Sequence, residues 1–408
     1  MQTSLPETLR ADLHGQAAER AIRACVHCGF CNAVCPTYQV LGEETDGPRG
    51  RIYLIKGLLE GRIDVSSARP HLDRCLTCRA CERACPSGVP YANLLETGRA
   101  VIESAQSRSF GDRILRRLVR SVVPYRQRVR ALAALGQLMA PVLPSGARRM
   151  LRDGPGIAPL SRVPPKDTGH RAMLFSGCVQ EVIRPGINRA ASRLLSTLGW
   201  RLQPDPGGCC GALSHHLSAH EEALRFMRAN VDAWWPLIES GLETIVVTAS
   251  GCAAALVDYG RLLAFDPEYG PKAQVIASRV RDLSACIDAR DIAGLGLVPD
   301  TRAVALHRPC TLDHSLNQGG HLEALLRAAG FNLRPGSNDI GCCGSAGSYS
   351  LLEPGLAQAL RRRKLATLGA AEVDLIVTAN IGCQLHLAAG TRVPVQHWAQ
   401  ALALRLPS

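Results

Sequence analysis

Cysteine spacing constrains this chain more than any other feature. Cys25, Cys28, Cys31 and Cys35 precede Pro36, and Cys75, Cys78, Cys81 and Cys85 precede Pro86. Both runs read C-x2-C-x2-C-x3-C-P, the bacterial spacing by which one module holds two 4Fe–4S clusters. Two intervening residues let neighbouring thiolates each take one corner of a cluster. The fourth cysteine, ahead of proline, leaves the local loop and serves the other cluster. The spacing therefore assigns Cys25, Cys28, Cys31 and Cys85 to one cluster, and Cys75, Cys78, Cys81 and Cys35 to the second. Structural zinc sites pair two short C-x2-C knuckles, and a third cysteine at the next step fits them poorly. A chain built this way moves electrons.

Composition bounds the setting of that chemistry. The 408 residues suffice for two or three domains, and 46% hydrophobic residues make them globular. Seventeen cysteines exceed incidental use, yet the chain is too long for a disulfide-stapled scaffold. The N-terminal MQTSLPETLR carries an acid and no apolar core, so it reads as neither a Sec nor a twin-arginine signal. The most apolar window, Ala131 to Ala147, is broken by Gly136, Gln137, Pro141, Pro144 and Gly146, which excludes a spanning helix there. A reducing, cytoplasmic home is expected. The net charge of +12 rests mostly on arginine, and Arg113 to Arg130 holds seven arginines and no acid. A solvated helix face, a docking surface for an acidic partner and a contact with anionic lipid are the three readings of that segment. Nucleic acid is not expected, because aromatics are only 4% and no stacking platform is visible.

Read for organisation, residues 1–125 are helical, with the cysteine runs in loops and helices over Arg51 to Gly61 and Tyr91 to Ile102. The long separation of Cys35 from Cys75 exceeds what a compact ββ ferredoxin places there, so an α-helical ferredoxin module is expected. Residues 126–168 read as a basic, then Pro/Gly-rich linker ending in GPGIAPLSRVPPKDT. Beyond it lies an internal repeat, 169–292 and 293–408. Strands at Ala172 to Ser176 and Val304 to His307 run into Cys178 and Cys310. Thirty-one positions after Cys178 comes Gly208-Cys209-Cys210-Gly211, and thirty-two after Cys310 comes Gly341-Cys342-Cys343-Gly344. Each half closes with a strand ending in Gly-Cys, TIVVTASGC at Cys252 and LIVTANIGC at Cys383. Helical stretches at Glu221 to Trp235 and Leu356 to Leu368 separate the strands, which is the pattern of βαβ units. The expected fold is an α-helical ferredoxin module followed by a duplicated α/β domain with parallel sheets.

Ligands in open α/β sheets bind beyond the carboxyl ends of the strands. Cys178, Cys209, Cys210 and Cys252 could converge there in the first half, and Cys310, Cys342, Cys343 and Cys383 in the second. Glycine beside paired cysteines lets backbone fold close around sulfur, which suits a metal or cluster. The plainer reading is buried, inert cysteine in a tight turn.

The ferredoxin runs, the connecting PRGRIYLIKGLLEG and the paired C…CCG…GC repeats resemble the CCG-domain family of glycolate oxidase iron–sulfur subunits. Its wider relatives include the small subunit of anaerobic glycerol-3-phosphate dehydrogenase and heterodisulfide reductase subunits. The resemblance implies an electron-transfer subunit of a glycolate (2-hydroxy acid) dehydrogenase complex, not catalytic for substrate oxidation alone. An FAD-binding dehydrogenase subunit would oxidise glycolate to glyoxylate, and electrons would leave toward quinone. FAD is expected only in that partner: no G-x-G-x-x-G follows a strand and no P-loop appears. The resemblance implies two 4Fe–4S clusters, a further one in the CCG repeats, and a cytoplasmic subunit with a peripheral contact on the inner face of the cell membrane as an option. A lactate or glycerol-3-phosphate dehydrogenase subunit and a heterodisulfide-reductase-like enzyme are the alternatives. In the last group each repeat ends C-x-x-C and holds a noncubane cluster. Here Ala253-Ala254-Ala255 follows Cys252 and Gln384-Leu385-His386 follows Cys383, leaving four candidate ligands per half.

Other residues draw attention less strongly. His27 reads as a surface or supporting residue of the first run. His215, His216, His307 and His314 lie near CCG cysteines and read as loop or packing histidines, with a quinone or proton-coupled role as the alternative. Cys286 belongs to neither set. Arg49 and Arg51, between the runs, could offset the negative charge of a four-thiolate cluster.

Overall fold

The stretch PRGRIYLIKGLL forms the helix Pro48–Leu59. Pro48 takes the first helical position, where a missing N–H is not needed and its fixed φ suits the helix. Ile52, Ile55 and Leu59 recur at helical spacing and are buried. This helix packs on Tyr91–Ser104, and Ile22 from Leu13–Ala24 and Leu72 from Val65–Asp73 fill the same core. Each such side chain contributes roughly 1.5–3 kcal/mol through removal of its surface from water.

The computed structural model describes residues 1–11, 13–105, 108–142, 169–334 and 341–407. The Pro/Gly-rich end of the expected linker, 154–168, lies outside them, as does the last part of the apolar window at Ala147. The chain divides into two compact units, Met1–Arg117 with Gly341–Arg361, and Leu118–Ile340 with Arg362–Ser408. Among the described residues the first unit is helical and contains no strand. Its segment Gly341–Arg361 carries Cys342 and Cys343, and the Tyr349 hydroxyl there donates to the Arg74 carbonyl at 3.1 Å.

The second unit holds two four-stranded parallel sheets of one design. Strands β1 (Arg171–Phe175), β2 (Arg201–Gln203), β3 (Thr244–Val247) and β4 (Val280–Asp282) assemble in the order β2-β1-β3-β4. Strands β5 (Ala303–His307), β6 (Asn332–Leu333), β7 (Leu375–Thr378) and β8 (Val395–His397) assemble as β6-β5-β7-β8. The central strands are buried on both faces, as helix-covered parallel strands must be. Leu194, Val246, Val304, Leu325, Leu375 and Trp398 belong to one core that spans both sheets. A second core, with Met173, Trp234, Ile245 and Tyr259, fills the far side of the first sheet.

The third strand of each repeat is shorter than its sequence suggests. Pairing ends at Phe175↔Val247 and His307↔Thr378. With no strand pairing beyond those pairs among the described residues, the chain turns into the helices Ser250–Val257 and Ile381–Ala388. Cys252 and Cys383 therefore sit in first helical turns, not at strand ends. The two strand ends also meet: Ser250 N–H donates to the Ala379 carbonyl at 3.1 Å, and His397 Nε2 to the Thr248 carbonyl at 2.8 Å.

Candidate iron–sulfur sites

Both cysteine runs adopt one backbone design in the first unit. His27 and Gly29 flank Cys28 with φ of 58° and 85°, and Thr77 and Arg79 flank Cys78 with φ of 52° and 59°. Three of those four residues are not glycine, and bulky side chains in the left-handed region cost about 1–2 kcal/mol each. Strain kept at matching positions of two loops marks a functional constraint. Each run then enters a short helix, Phe30–Ala33 or Ala80–Arg83.

The loops bring the cysteines together in fours. One pocket is lined by Cys25, Cys28, Cys31 and Cys85, with Cys81 also on its wall. The other is lined by Cys35, Cys75, Cys78 and Cys81. Four soft thiol donors around one pocket are the set a 4Fe–4S cluster takes. Burial pushes the Cys31 thiol up to about 11, and pushes Cys81 well above its ordinary value with help from Cys78 and Cys75. Metal binding must displace those protons, so loading releases acid.

Electrostatics separate the two pockets. Arg51 is 1% exposed and Asp46 is fully buried, 3.6 Å apart. Arg51 sends Nε to the His71 carbonyl at 2.7 Å, one terminal nitrogen to Thr37 Oγ1 at 3.1 Å and the other toward Cys35 Sγ at 3.9 Å. The Tyr91 hydroxyl points at Cys75 Sγ, 3.7 Å away. At the other pocket Arg49 is partly exposed and turned to Glu44, with Nε at 2.6 Å.

In the first CCG repeat the cysteines line up as neighbours, Cys178 beside Cys209, Cys209 beside Cys210 and Cys210 beside Cys252. Hydrogen bonds from Cys209 and Cys252 hold Cys210 well below the usual thiol range, and the same bonds raise those two donors. Gly211, with φ of 81°, donates its N–H to Cys209 Sγ at 3.4 Å. Buried Asn230 and Tyr259 clamp the loop: Asn230 Nδ2 donates to the Cys209 carbonyl at 2.8 Å and the Tyr259 hydroxyl to the Cys210 carbonyl at 3.0 Å. Asp205 accepts from the backbone N–H of Ser176 and of Gly207.

In the second repeat Cys383 is buried and accepts from Asn380 Nδ2 at 3.4 Å. A ring nitrogen of buried His307 lies within 4.8 Å of Cys383 Sγ. Cys310 opens a π-helical turn, Thr311–Ser315, that contains His314. Cys342 and Cys343 lie in the segment belonging to the first unit, where Gly344 N–H donates to Cys342 Sγ at 3.4 Å. Cys286 points at the Asp282 carbonyl, 3.5 Å away, and burial pushes its thiol up to about 12.

Comparison with known proteins agrees with this layout. A 4Fe–4S dicluster domain matches residues 21–89, and a cysteine-rich CCG domain matches 172–257 and 304–388. The chain is 44% identical to the glycolate oxidase iron–sulfur subunit of Escherichia coli (strain K12), over 98% of both chains. The chain belongs to the glycolate oxidase iron–sulfur subunit family. It is 32% identical to the probable glycolate oxidase iron–sulfur subunit of Bacillus subtilis (strain 168), over 90% of this chain and 88% of that one. Lactate utilization protein A of Shouchella clausii (strain KSM-K16) is 25% identical over 56% of this chain and 97% of its own. Membership makes the chain an iron–sulfur electron-transfer subunit of an oxidoreductase. Among the described residues no helix is long and apolar enough to cross a membrane.

Several supporting residues of this family member escaped the sequence reading. Asn230, Tyr259, Asp205, Thr37 and Tyr91 are single polar residues with no spacing signature. Each becomes legible only when the fold brings it to a cysteine loop. His215 stacks edge-on to His220 at 5.3 Å beside the first CCG loop, and His27 stands at the mouth of the Cys25 pocket.

Proposed function

We propose that this chain relays electrons from an FAD-bearing dehydrogenase subunit that oxidises glycolate to glyoxylate, and passes them on toward quinone. Two 4Fe–4S clusters would be held by Cys25, Cys28, Cys31 and Cys85, and by Cys75, Cys78, Cys81 and Cys35. The observation that carries this reading is a pair of pockets, each lined by the first three cysteines of one run and the fourth of the other. Cys178, Cys209, Cys210 and Cys252 would hold a further cluster, with Cys310, Cys342, Cys343 and Cys383 as the second candidate set. When bound, a 4Fe–4S cluster supplies one-electron redox chemistry. The chain's own residues hold the thiolates, exclude water and aim N–H and O–H groups at sulfur. We take the domains as 1–125, 126–168, 169–292 and 293–408.

The subunit would be cytoplasmic and peripheral on the inner face of the membrane. The helix Phe110–Val122 leaves Phe110, Ile114 and Leu118 exposed at four-residue steps, with exposed Arg113 and Arg117 beside them. An apolar stripe flanked by arginine matches an anionic bilayer surface. Flotation with anionic vesicles should be lost on Leu118→Glu; flotation unchanged by it would move that face to the partner subunit.

Iron and acid-labile sulfide per chain, with EPR of the dithionite-reduced protein, test the central reading. About eight irons correspond to the ferredoxin module alone and about twelve or more to an added CCG cluster. Four or fewer irons in stable, active protein would overturn the two-cluster assignment.

A further inference from the structure

We propose that Arg51 makes the Cys35–Cys75–Cys78–Cys81 set the higher-potential member of the pair, so that an electron entering the module comes to rest there. This rests on the two-cluster reading above and adds to it an internal direction.

The two pockets share a loop design but differ in the charge the chain places beside them. Arg51 is sealed from water and points one terminal nitrogen toward Cys35 Sγ at 3.9 Å. Its ion-pair partner Asp46 is shared, because Arg74 also reaches that carboxylate, at 3.0 Å. Arg74 thus offers Asp46 a second guanidinium, which leaves the charge of Arg51, the one sealed from water, only partly offset beside the sulfurs. Tyr91, itself buried, adds a hydroxyl aimed at Cys75 Sγ. The Thr37 hydroxyl donates to the Asp46 carbonyl at 2.8 Å and accepts from Arg51, which fixes the guanidinium in place.

The Cys25–Cys28–Cys31–Cys85 pocket lacks this arrangement. Its arginine, Arg49, binds both carboxylate oxygens of Glu44, at 2.6 and 3.1 Å, so its charge is cancelled locally. Cys28 is exposed, and Val26 and Phe30 beside it are mostly exposed as well. Water and salt screen charges at such a site.

Reduction adds one electron to a cluster already negative through its four thiolates, with no bond made or broken. A buried cation at short range favours the added charge far more than a screened one does. Burial alone opposes it, since a low-dielectric site disfavours extra negative charge. Arg51 and Tyr91 counter that penalty in one pocket only. The electron donor in the cell is a reduced flavin, as proposed above; in the test it is dithionite.

The experiment is a redox titration followed by EPR, on the full chain purified anaerobically. Wild type should show two resolvable midpoints from the ferredoxin module, apart from any signal that Cys210→Ser or Cys343→Ser removes. Arg51→Gln should lower only the higher one, cutting the reduced-to-oxidised ratio at the wild-type midpoint at least tenfold, or 59 mV for one electron. Arg51→Lys should fall between the two, and Tyr91→Phe should lower the same midpoint by less. Arg49→Gln should leave that midpoint in place. Should Arg51→Gln fail to retain iron, Arg51→Lys and Tyr91→Phe decide. Iron-replete Arg51→Lys and Tyr91→Phe with both midpoints unmoved would overturn the inference, as would an equal shift of both signals. A single module midpoint in wild-type protein holding about eight irons or more would also overturn the inference, whereas four or fewer irons per chain sinks the two-cluster reading itself, which is a separate failure.

Discussion

The two halves of the duplicated domain share a strand order and a set of cysteine positions, yet they surround those cysteines differently. Three residues before the first cysteine, the first repeat has Phe175 and the second His307. Val247 and Ala249 on the third strand and its exit correspond to Thr378 and Asn380. Phe175 packs edge-on to Trp234, whereas His307 Nδ1 shares a hydrogen bond with Thr378 Oγ1 at 2.9 Å and Asn380 donates to Cys383. The fourth strands end on a second contrast. Asp282 and His397 both cap the turn that follows, accepting the N–H of Ser284 at 2.9 Å and of Ala399 at 3.2 Å. Duplication preserved the scaffold while the polar chemistry around it diverged. The lesson is that sheet topology tolerates exchange of buried residues, provided each polar newcomer finds a partner.

Removing thiols breaks the comparison most severely. Cys210→Ser should abolish any signal of the first repeat and lower iron by roughly four atoms per chain. Cys343→Ser tests the second set by the same assay. Loss in both variants makes two CCG clusters, and loss in one shows which half kept the chemistry.

The two CCG glycines come next. Both adopt left-handed φ, 81° at Gly211 and 89° at Gly344. A Cβ on Gly344 would meet the Ala357 carbonyl oxygen at 2.6 Å and Leu360 Cβ at 2.9 Å; on Gly211 the nearest atom, the Ala223 carbonyl oxygen, is 3.1 Å away. Gly211→Ala should cost about 1–2 kcal/mol through backbone strain, and Gly344→Ala roughly 3 kcal/mol or more through the added clash. Chemical denaturation of the two variants side by side checks the order.

The caps predict opposite responses to acid. Burial raises Asp282 to about 6 from 3.8, so this group adds stability as pH falls through 6 and takes up its proton in the folded state. Burial lowers His397 to about 4 from 6.5, so the unfolded chain binds the proton first and stability is lost as pH falls from 6.5 toward 4. Each shift corresponds to about 3 kcal/mol over its full window, and the two oppose each other. His397→Gln should therefore make the melting midpoint rise on going from about pH 7 to pH 5 relative to wild type, and Asp282→Asn should make it fall. Parallel behaviour of the two variants would break the contrast.

The smallest effect concerns the polar shell of the second repeat. His307→Phe and Asn380→Ala recreate the first repeat's residues around Cys383. Each should lower the midpoint of a cluster signal that Cys383→Ser removes, by about 30 mV or threefold in reduced fraction, and leave the first repeat's signal in place.

Much of this molecule was legible in its sequence because the signals were periodic or spaced. Helical periodicity gave Pro48–Leu59 and Tyr91–Ser104 to within a few residues, and apolar runs gave the central strands β1, β3, β5 and β7. The edge strands β2, β4, β6 and β8 are two or three residues long, too short to carry a pattern. Arg49 and Arg51 read alike in sequence, two residues apart. Helical geometry turns one outward to Glu44 and the other inward to Cys35.

The sequence by itself determined where the candidate donors stand, since a set of thiols fit for a cluster depends on cysteine type and on spacing within a loop, both written along one dimension. It also determined the duplication and the parallel α/β character of the repeats. Only the tertiary structure decided which arginine lies against sulfur, which residues clamp the CCG loops and where each buried charge finds its partner. Those outcomes depend on distance and burial between residues far apart in the chain. Asn230 reaches Cys209, and His397 reaches Thr248 across 149 positions, through contacts that no local pattern encodes.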